Sequence, residues 1–204
     1  MTSAGADPPV GGEIYVLDTE TTGLNGAPAD VVVDVGVCAV DVARGTVRDA
    51  YSSIVGYDVG EWDRGRREAW IFQNTDLTLE MVAAAPPRHR VDADLRALLR
   101  GRSLTTYNIP FDLGKFLYRE PWSMRGVFEE RADIMKAATE VCKLPSQYYG
   151  VRYRFPTLER AYSMAFGDGD PAGIGGKQDH RALSDARMAS HLMLKMIRDG
   201  DYSP

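Results

Sequence analysis

Three β-patterned runs follow one another near the start of the chain, and together they require a sheet. Residues 14–17 are a compact apolar run, residues 31–40 are rich in β-branched side chains, and residues 46–55 form a third run. Turn signals at Asn25-Gly26 and Arg44-Gly45 separate them, which predicts an antiparallel meander with short connections. The pattern then changes. Residues 61–90 are polar and mixed, broken at Pro86-Pro87, with one helical stretch over 77–85 and Thr78 near its N-cap. Leu95, Leu98 and Leu99 give helical spacing to 92–99, which stops at Gly101. A short strand is expected at 104–107 and a helix start at Pro110. Helical patterns recur over 111–119, 133–142, 158–166 and 182–197. Strands first, then mostly helices with one returning strand, predict an α/β domain with helices flanking a central mixed sheet.

At 204 residues the chain suits one domain. The expected division is a loose Pro/Gly-rich leader at 1–12, the folded domain at 13–198 and a short tail at 199–204. Cys38 and Cys142 have no partner at zinc-ligand or CxxC spacing, which suits a reducing, cytoplasmic compartment. The N-terminus lacks a basic segment followed by an apolar run. No stretch approaches the ~18 apolar residues of a membrane span. The net charge of −5 excludes a strongly basic nucleic-acid coat and a polybasic membrane anchor.

Acids stand where acids are costly. Asp18 and Glu20 end the first apolar run at i and i+2, so they share one face of the strand. Carboxylates this close repel unless a cation sits between them or water solvates the strand end. On the last helix the apolar stripe is Ala182, Ala189, Leu192 and Met196, and Asp185 falls on the same face. An acid there requires an ion pair or a metal. Asp112, beside Phe111 and four residues before Phe116, has a simpler alternative, because an Asp in the first turn of a helix complements the macrodipole.

These residues carry a resemblance. Asp18-Thr-Glu-Thr-Thr-Gly-Leu24 resembles the first motif of the DEDDh (DnaQ-like) 3′–5′ exonucleases. Tyr107-Asn-Ile-Pro-Phe-Asp112 resembles their second motif, with Tyr107 where many members carry His. His180-Arg-Ala-Leu-Ser-Asp185 resembles the third. The resemblance extends over residues 13–198, including Pro156-Thr-Leu158 and Phe166-Gly167. It implies a ribonuclease-H-like fold and two-metal hydrolysis of the terminal phosphodiester. By the same resemblance Asp18, Glu20, Asp112 and Asp185 would hold two Mg²⁺ or Mn²⁺ ions, with Asp18 bridging, and His180 would be the general base. The chemistry is consistent: hard divalent ions favour carboxylate oxygen, a metal pair stabilises attacking and leaving oxygens, and an imidazole ordinarily titrates near the working pH of a base. Two such ions would offset four of the chain's negative charges, so the acidic balance is compatible with a nuclease.

The resemblance further implies that Thr21, Thr22 and Leu24 line a pocket for the 3′-terminal nucleotide, with Asn108 and Phe111 opposite. Core packing is an equal alternative for Phe111. The Gly-rich loop at 171–177 is expected to be mobile and to let His180 swing in. His89, in an expected loop, and His191, on the last helix, read as structural, and Cys38 as a small buried hydrophobe. Arg64, Arg66, Arg67, Arg88 and Arg90 could track phosphates but fit a solvated loop better. The expected partner is a nucleic acid 3′ end, single-stranded DNA first, with a polymerase or repair partner compatible. The alternatives are an RNA-trimming enzyme resembling RNase T or, less well given the Phe-Asp form of the second motif, oligoribonuclease, or a non-catalytic polymerase-associated subunit. The brevity of the tail favours a free-standing enzyme over a tethered proofreading subunit.

Overall fold

The sheet order is β3-β2-β1-β4-β5, which puts the strand carrying Asp18 and Glu20 at the centre. A computed structural model describes residues 12–203. The strands are β1 (Glu13–Thr21), β2 (Val32–Asp41), β3 (Thr46–Ile54), β4 (Ser103–Thr106) and β5 (Glu129–Glu130). The first three form the expected antiparallel meander. β4 returns parallel to β1, pairing Ile14 with Ser103 through Leu17 with Thr106, and β5 adds in parallel at the edge. The sheet is therefore mixed. The two residues of β5, both acidic, carry no period from which a strand could be read.

Helices cover both faces. They are α1 (Arg64–Arg67), α2 (Trp70–Asn74), α3 (Leu79–Ala84), α4 (Arg88–Leu99), α5 (Ile134–Cys142), α6 (Leu158–Phe166) and α7 (Ala182–Asp199). Because side chains alternate along a strand, β1 feeds two cores. Ile14 and Val16 pack with α5, α6 and α7. Tyr15 and Leu17 pack with α4 and a helical segment at Pro110–Leu117. From Ile14 to Leu17 the strand is buried on both faces, and solvent reaches it again at Asp18 and Glu20.

Several local expectations are corrected. The segment 61–90 holds α1 and α2 as well as α3, because Trp62, Ile71, Leu77 and Val82 close a third small core against Val33. α4 begins four residues earlier than its leucine spacing indicated, so His89 is helical rather than in a loop. The segment at Pro110–Leu117 is wound as a π-helix, with the Tyr118 amide donating to the carbonyl of Leu113. Such turns are uncommon and often mark functional positions. α7 runs two residues past its expected end. Beyond it Tyr202 is buried, and its hydroxyl donates to the Ala132 carbonyl at 2.6 Å. Most of the leader lies outside the described residues. Among the described residues no helix is long and apolar enough to cross a membrane.

Candidate active site

β4 ends at Thr106, opposite Leu17, so β1 runs beyond its parallel neighbour and exposes fresh backbone donors. Ligand sites of α/β sheets gather at such carboxyl ends. A cleft of about 300 Å³ opens there, and its walls include Asp18, Glu20, Asp112, His180 and Asp185. Asp112 takes up the freed Thr19 amide at 3.2 Å and the Thr19 hydroxyl at 2.8 Å. The second motif is thereby fastened to the first from the face opposite Asp18. Asp112 is buried, so its role exceeds the helix-dipole alternative.

Asp185 reaches the cleft from the other face, on the stripe of α7 that packs against β1. A glycine makes the approach feasible. A Cβ on Gly36, which pairs with Asp18 in β2, would lie 2.2 Å from the Leu183 amide nitrogen and 2.3 Å from the Ala182 carbonyl carbon. Asp34, two residues earlier and opposite Glu20, accepts from the Ala182 amide at 3.3 Å and from Arg181 Nε at 2.9 Å. It acts as the N-cap that Arg181 cannot supply. Arg181 also pairs with Asp76. These contacts hold both neighbours of the junction between His180 and α7, and His180 itself has φ +55°. The exposed Trp70 packs edge-on against the His180 ring, centroids 4.9 Å apart.

Donor atoms of Glu20, His180 and Asp185 all lie within 4.8 Å of one another. Asp185 is 2% exposed; Gln178 Nε2 donates to its Oδ2 at 2.7 Å, while Oδ1 has no hydrogen-bond partner among the described residues. Among the described residues Asp185 has no ion pair; Arg181, four residues earlier, pairs with Asp34 and Asp76 instead. Burial dominates the electrostatics. It pushes Asp18 well above the carboxylate range, reinforced by Asp112, Asp185 and Glu20. It lifts Glu20 to about 9, with Asp185 and Asp34 adding repulsion. Asp185 rises to about 7, against the Gln178 hydrogen bond, and Asp112 to about 6, against those from Thr19. Four clustered acids with raised pKa values, Asp112 and Asp185 buried and Asp18 and Glu20 partly exposed, with one Asp185 oxygen orphaned, form a donor set suited to hard divalent cations. The residues fit the ions.

The remaining expected positions divide. Asn108 and Phe111 line the cleft. Asn108 Oδ1 accepts from the Phe111 amide, and Phe111 also packs edge-on against Phe116, so it is both wall and core margin. Thr21, Thr22 and Leu24 are absent from the cleft walls. Thr21 donates to the Gly23 carbonyl at 2.8 Å, and Thr22 is buried against Asp30 and the Val31 amide, because the bulge after Glu20 turns this segment into a tight loop. Leu24 is 72% exposed, and Lys115 Nζ donates to its carbonyl at 2.6 Å from above the Phe111 ring, which anchors the loop. Tyr107 lines the cleft with its ring, while its hydroxyl donates to the Pro156 carbonyl. The 171–177 loop is organised round Asp170, whose carboxylate accepts from Gly173, Gly175 and the Tyr162 hydroxyl.

The five arginines singled out from sequence are engaged internally. Arg64 and Arg90 pair along their own helices, and Arg66, Arg67 and Arg88 donate to backbone carbonyls. Cys38 is buried and pushed up to about 12 by desolvation, which leaves it inert. Sequence reasoning missed Asp34, Gln178, Arg181 and Trp70. Asp34 left one available signal, an acid inside a β-branched run; the others left none.

No family model matches the chain. DNA polymerase III PolC-type of Pediococcus pentosaceus is 24% identical over 193 residues, 94% of this chain, and that of Bacillus cereus is 27% identical over 190 residues. The chain spans only 12% of the length of these relatives. A solved full-length 3′-exonuclease superposes with TM-score 0.60 at 16% identity, covering 93% of this chain and 62% of that one. The nuclease domain of 3′hExo, a DEDDh family member bound to rAMP, gives 0.54 at 16% identity and covers 94% of each chain. Escherichia coli exonuclease I in complex with a dT13 oligonucleotide gives 0.61 at 15% identity, over 93% of this chain and 43% of that one. These solved structures share with this chain the fold that carries the cleft, a mixed sheet with flanking helices.

Proposed function

We propose that this chain is a metal-dependent 3′–5′ exonuclease that removes nucleoside 5′-monophosphates from single-stranded DNA. The observation that carries it is the convergence of Asp18, Glu20, Asp112, Asp185 and His180 on one cleft from β1, the π-helical segment and the entry to α7. Solved proteins of the same fold are 3′-exonucleases, one of them holding an oligonucleotide.

Asp18, Glu20, Asp112 and Asp185 would hold two Mg²⁺ or Mn²⁺ ions, which when bound stabilise charge on the attacking and leaving oxygens. The chain's own groups do the rest. Thr19 keeps Asp112 aimed inward, and Gln178 occupies one oxygen of Asp185 so that the other stays available. His180 takes the proton from the attacking water at the imidazole nitrogen facing Glu20 and Asp185. Arg181, pinned by Asp34, and the edge of Trp70 limit the orientations of that ring. Phe111 and the Tyr107 ring give the terminal sugar and base an apolar wall.

Purified protein with Mg²⁺ or Mn²⁺ shortens a 5′-labelled oligonucleotide from its 3′ end, and Asp18→Ala abolishes the reaction. Equal inertness of wild type and variant on single- and double-stranded DNA and RNA refutes the proposal. A second reading, RNA 3′-end trimming, has support from two neighbours, one bound to rAMP and one concerned with histone mRNA stem-loop recognition. The RNA arms of the same assay decide it. The PolC relatives give a polymerase context the same standing.

A further inference from the structure

Residues 141–158 contain Lys143, Arg152 and Arg154 and no acid, in a chain whose net charge is −5. The segment leaves α5 through Lys143, at φ +49°, and returns as a hairpin. Pro145 bridges Tyr153, the Arg154 amide donates to the Leu144 carbonyl at 2.9 Å, and the Val151 amide closes the tip on Tyr148. The hairpin leaves its large side chains in water: Tyr148 is 79% exposed, Tyr149 wholly so, Val151 half and Phe155 more than half. Elsewhere eight arginines are in ion pairs. Lys143, Arg152 and Arg154 form no ion pair among the described residues; Arg152 lies over the Tyr153 ring at 5.0 Å. Neither core packing nor internal pairing accounts for this composition. Solvent-facing rings interleaved with free cations match bases and phosphates together.

The hairpin is also built into the cleft wall. It exits through Phe155 and Pro156 into Thr157 and Leu158, both of which line the cleft, and the Tyr107 hydroxyl grips the Pro156 carbonyl at 2.8 Å. At ~3.3 Å per residue, Phe155 stands within roughly 7 Å of Thr157 along the chain and Tyr149 within roughly 27 Å at full extension, a span of about two to eight stacked bases.

We propose that residues 143–155 form a single-strand platform for the nucleotides upstream of the scissile end, with Tyr148, Tyr149 and Phe155 stacking on bases and Lys143, Arg152 and Arg154 meeting phosphates. The proposal rests on the exonuclease reading of the cleft for the direction of the strand, but its binding test does not. Affinity for oligo-dT and oligo-U of about 20 nucleotides is measured on the full chain in EDTA, where hydrolysis is blocked. Tyr148→Ala with Tyr149→Ala weakens it roughly tenfold or more. Tyr148→Phe with Tyr149→Phe retains it, because stacking needs only the ring. Arg152→Gln with Arg154→Gln lowers the slope of log affinity against log salt by about 1.4. With Mg²⁺ present, the double alanine variant lowers the ratio of kcat/KM on the long strand to that on a trinucleotide by a similar factor.

Wild-type affinity in the alanine and glutamine variants, with wild-type cleavage intact, overturns the platform, leaves the exonuclease reading standing and turns the hairpin into a protein-facing surface. Equal loss on long and short substrates overturns it too. Strand binding that is lost on removal of the tyrosines, in a wild type that cleaves nothing, supports the platform while the exonuclease reading fails.

Discussion

Asp185→Asn stabilises the protein in the absence of metal while destroying its response to metal. Asp185 sits on the core face of α7 with Oδ1 unpartnered among the described residues, and burial raises its pKa from an ordinary 3.8 to about 7. A pKa higher in the fold than in the unfolded chain means that stability is fully present below the unfolded value and is lost as pH rises through the folded one. At about 1.4 kcal/mol per pKa unit, the raised pKa of Asp185 costs the fold on the order of 4 kcal/mol at pH 8, where the group is ionised, and about 2 kcal/mol at pH 5, where it must take up a proton to fold. Asparagine keeps the shape and the Gln178 contact but carries no charge. With roughly 2–4 °C of Tm per kcal/mol for a chain this long, the variant melts about 10 °C higher than wild type at pH 8 in EDTA, and about 5 °C higher at pH 5. Thermal melts across that pH range check both numbers. Adding Mn²⁺ at a hundredfold excess over its Kd stabilises wild type by about 3 kcal/mol at pH 8, and the variant far less. A variant that melts lower than wild type at pH 8 without metal refutes the reasoning, because the carboxylate would then be satisfied by the protein itself.

Gly36→Ala drives a Cβ into the backbone of the first turn of α7. Urea unfolding registers a loss of about 1–3 kcal/mol, and Mn²⁺ titration a weaker affinity although no ligand is altered. Trp70→Ala removes the ring edge beside His180; steady-state kinetics show a fall in kcat larger than any rise in KM, and Tm moves little because Trp70 is 56% exposed. Tyr202→Phe loses the hydrogen bond to the Ala132 carbonyl, which lowers stability by about 1 kcal/mol in denaturant melts and leaves the rate on oligonucleotides as it was.

What could be read from the chain alone was whatever repeats locally. The alternation of the first three runs specified the meander, and the 3.6-residue stripe through Ala182, Ala189, Leu192 and Met196 put Asp185 on a buried face. The three motifs named the acids. The resemblance implies that Thr21, Thr22 and Leu24 stand at the substrate; the bulge after Glu20 sets Thr21 and Thr22 into a tight loop and leaves Leu24 exposed, which local spacing does not convey.

The tertiary structure decided everything that joins distant positions. Asp34 caps a helix that begins 148 residues later, and Thr19 holds an acid 93 residues away. Gly36 matters only because α7 lands on it, and Trp70 only because His180 does. Local pattern set the long strands and helices and the side chains they bury, because periodicity is set by backbone geometry within a few residues; β5, α1 and α2 carry no such period. The energy of a buried carboxylate depends on what surrounds it in space, and that is set by the strand order β3-β2-β1-β4-β5, which places β1 between cores on both its faces. On this sheet the four acids are held together at one cleft, two of them buried and two partly exposed, and short of cations.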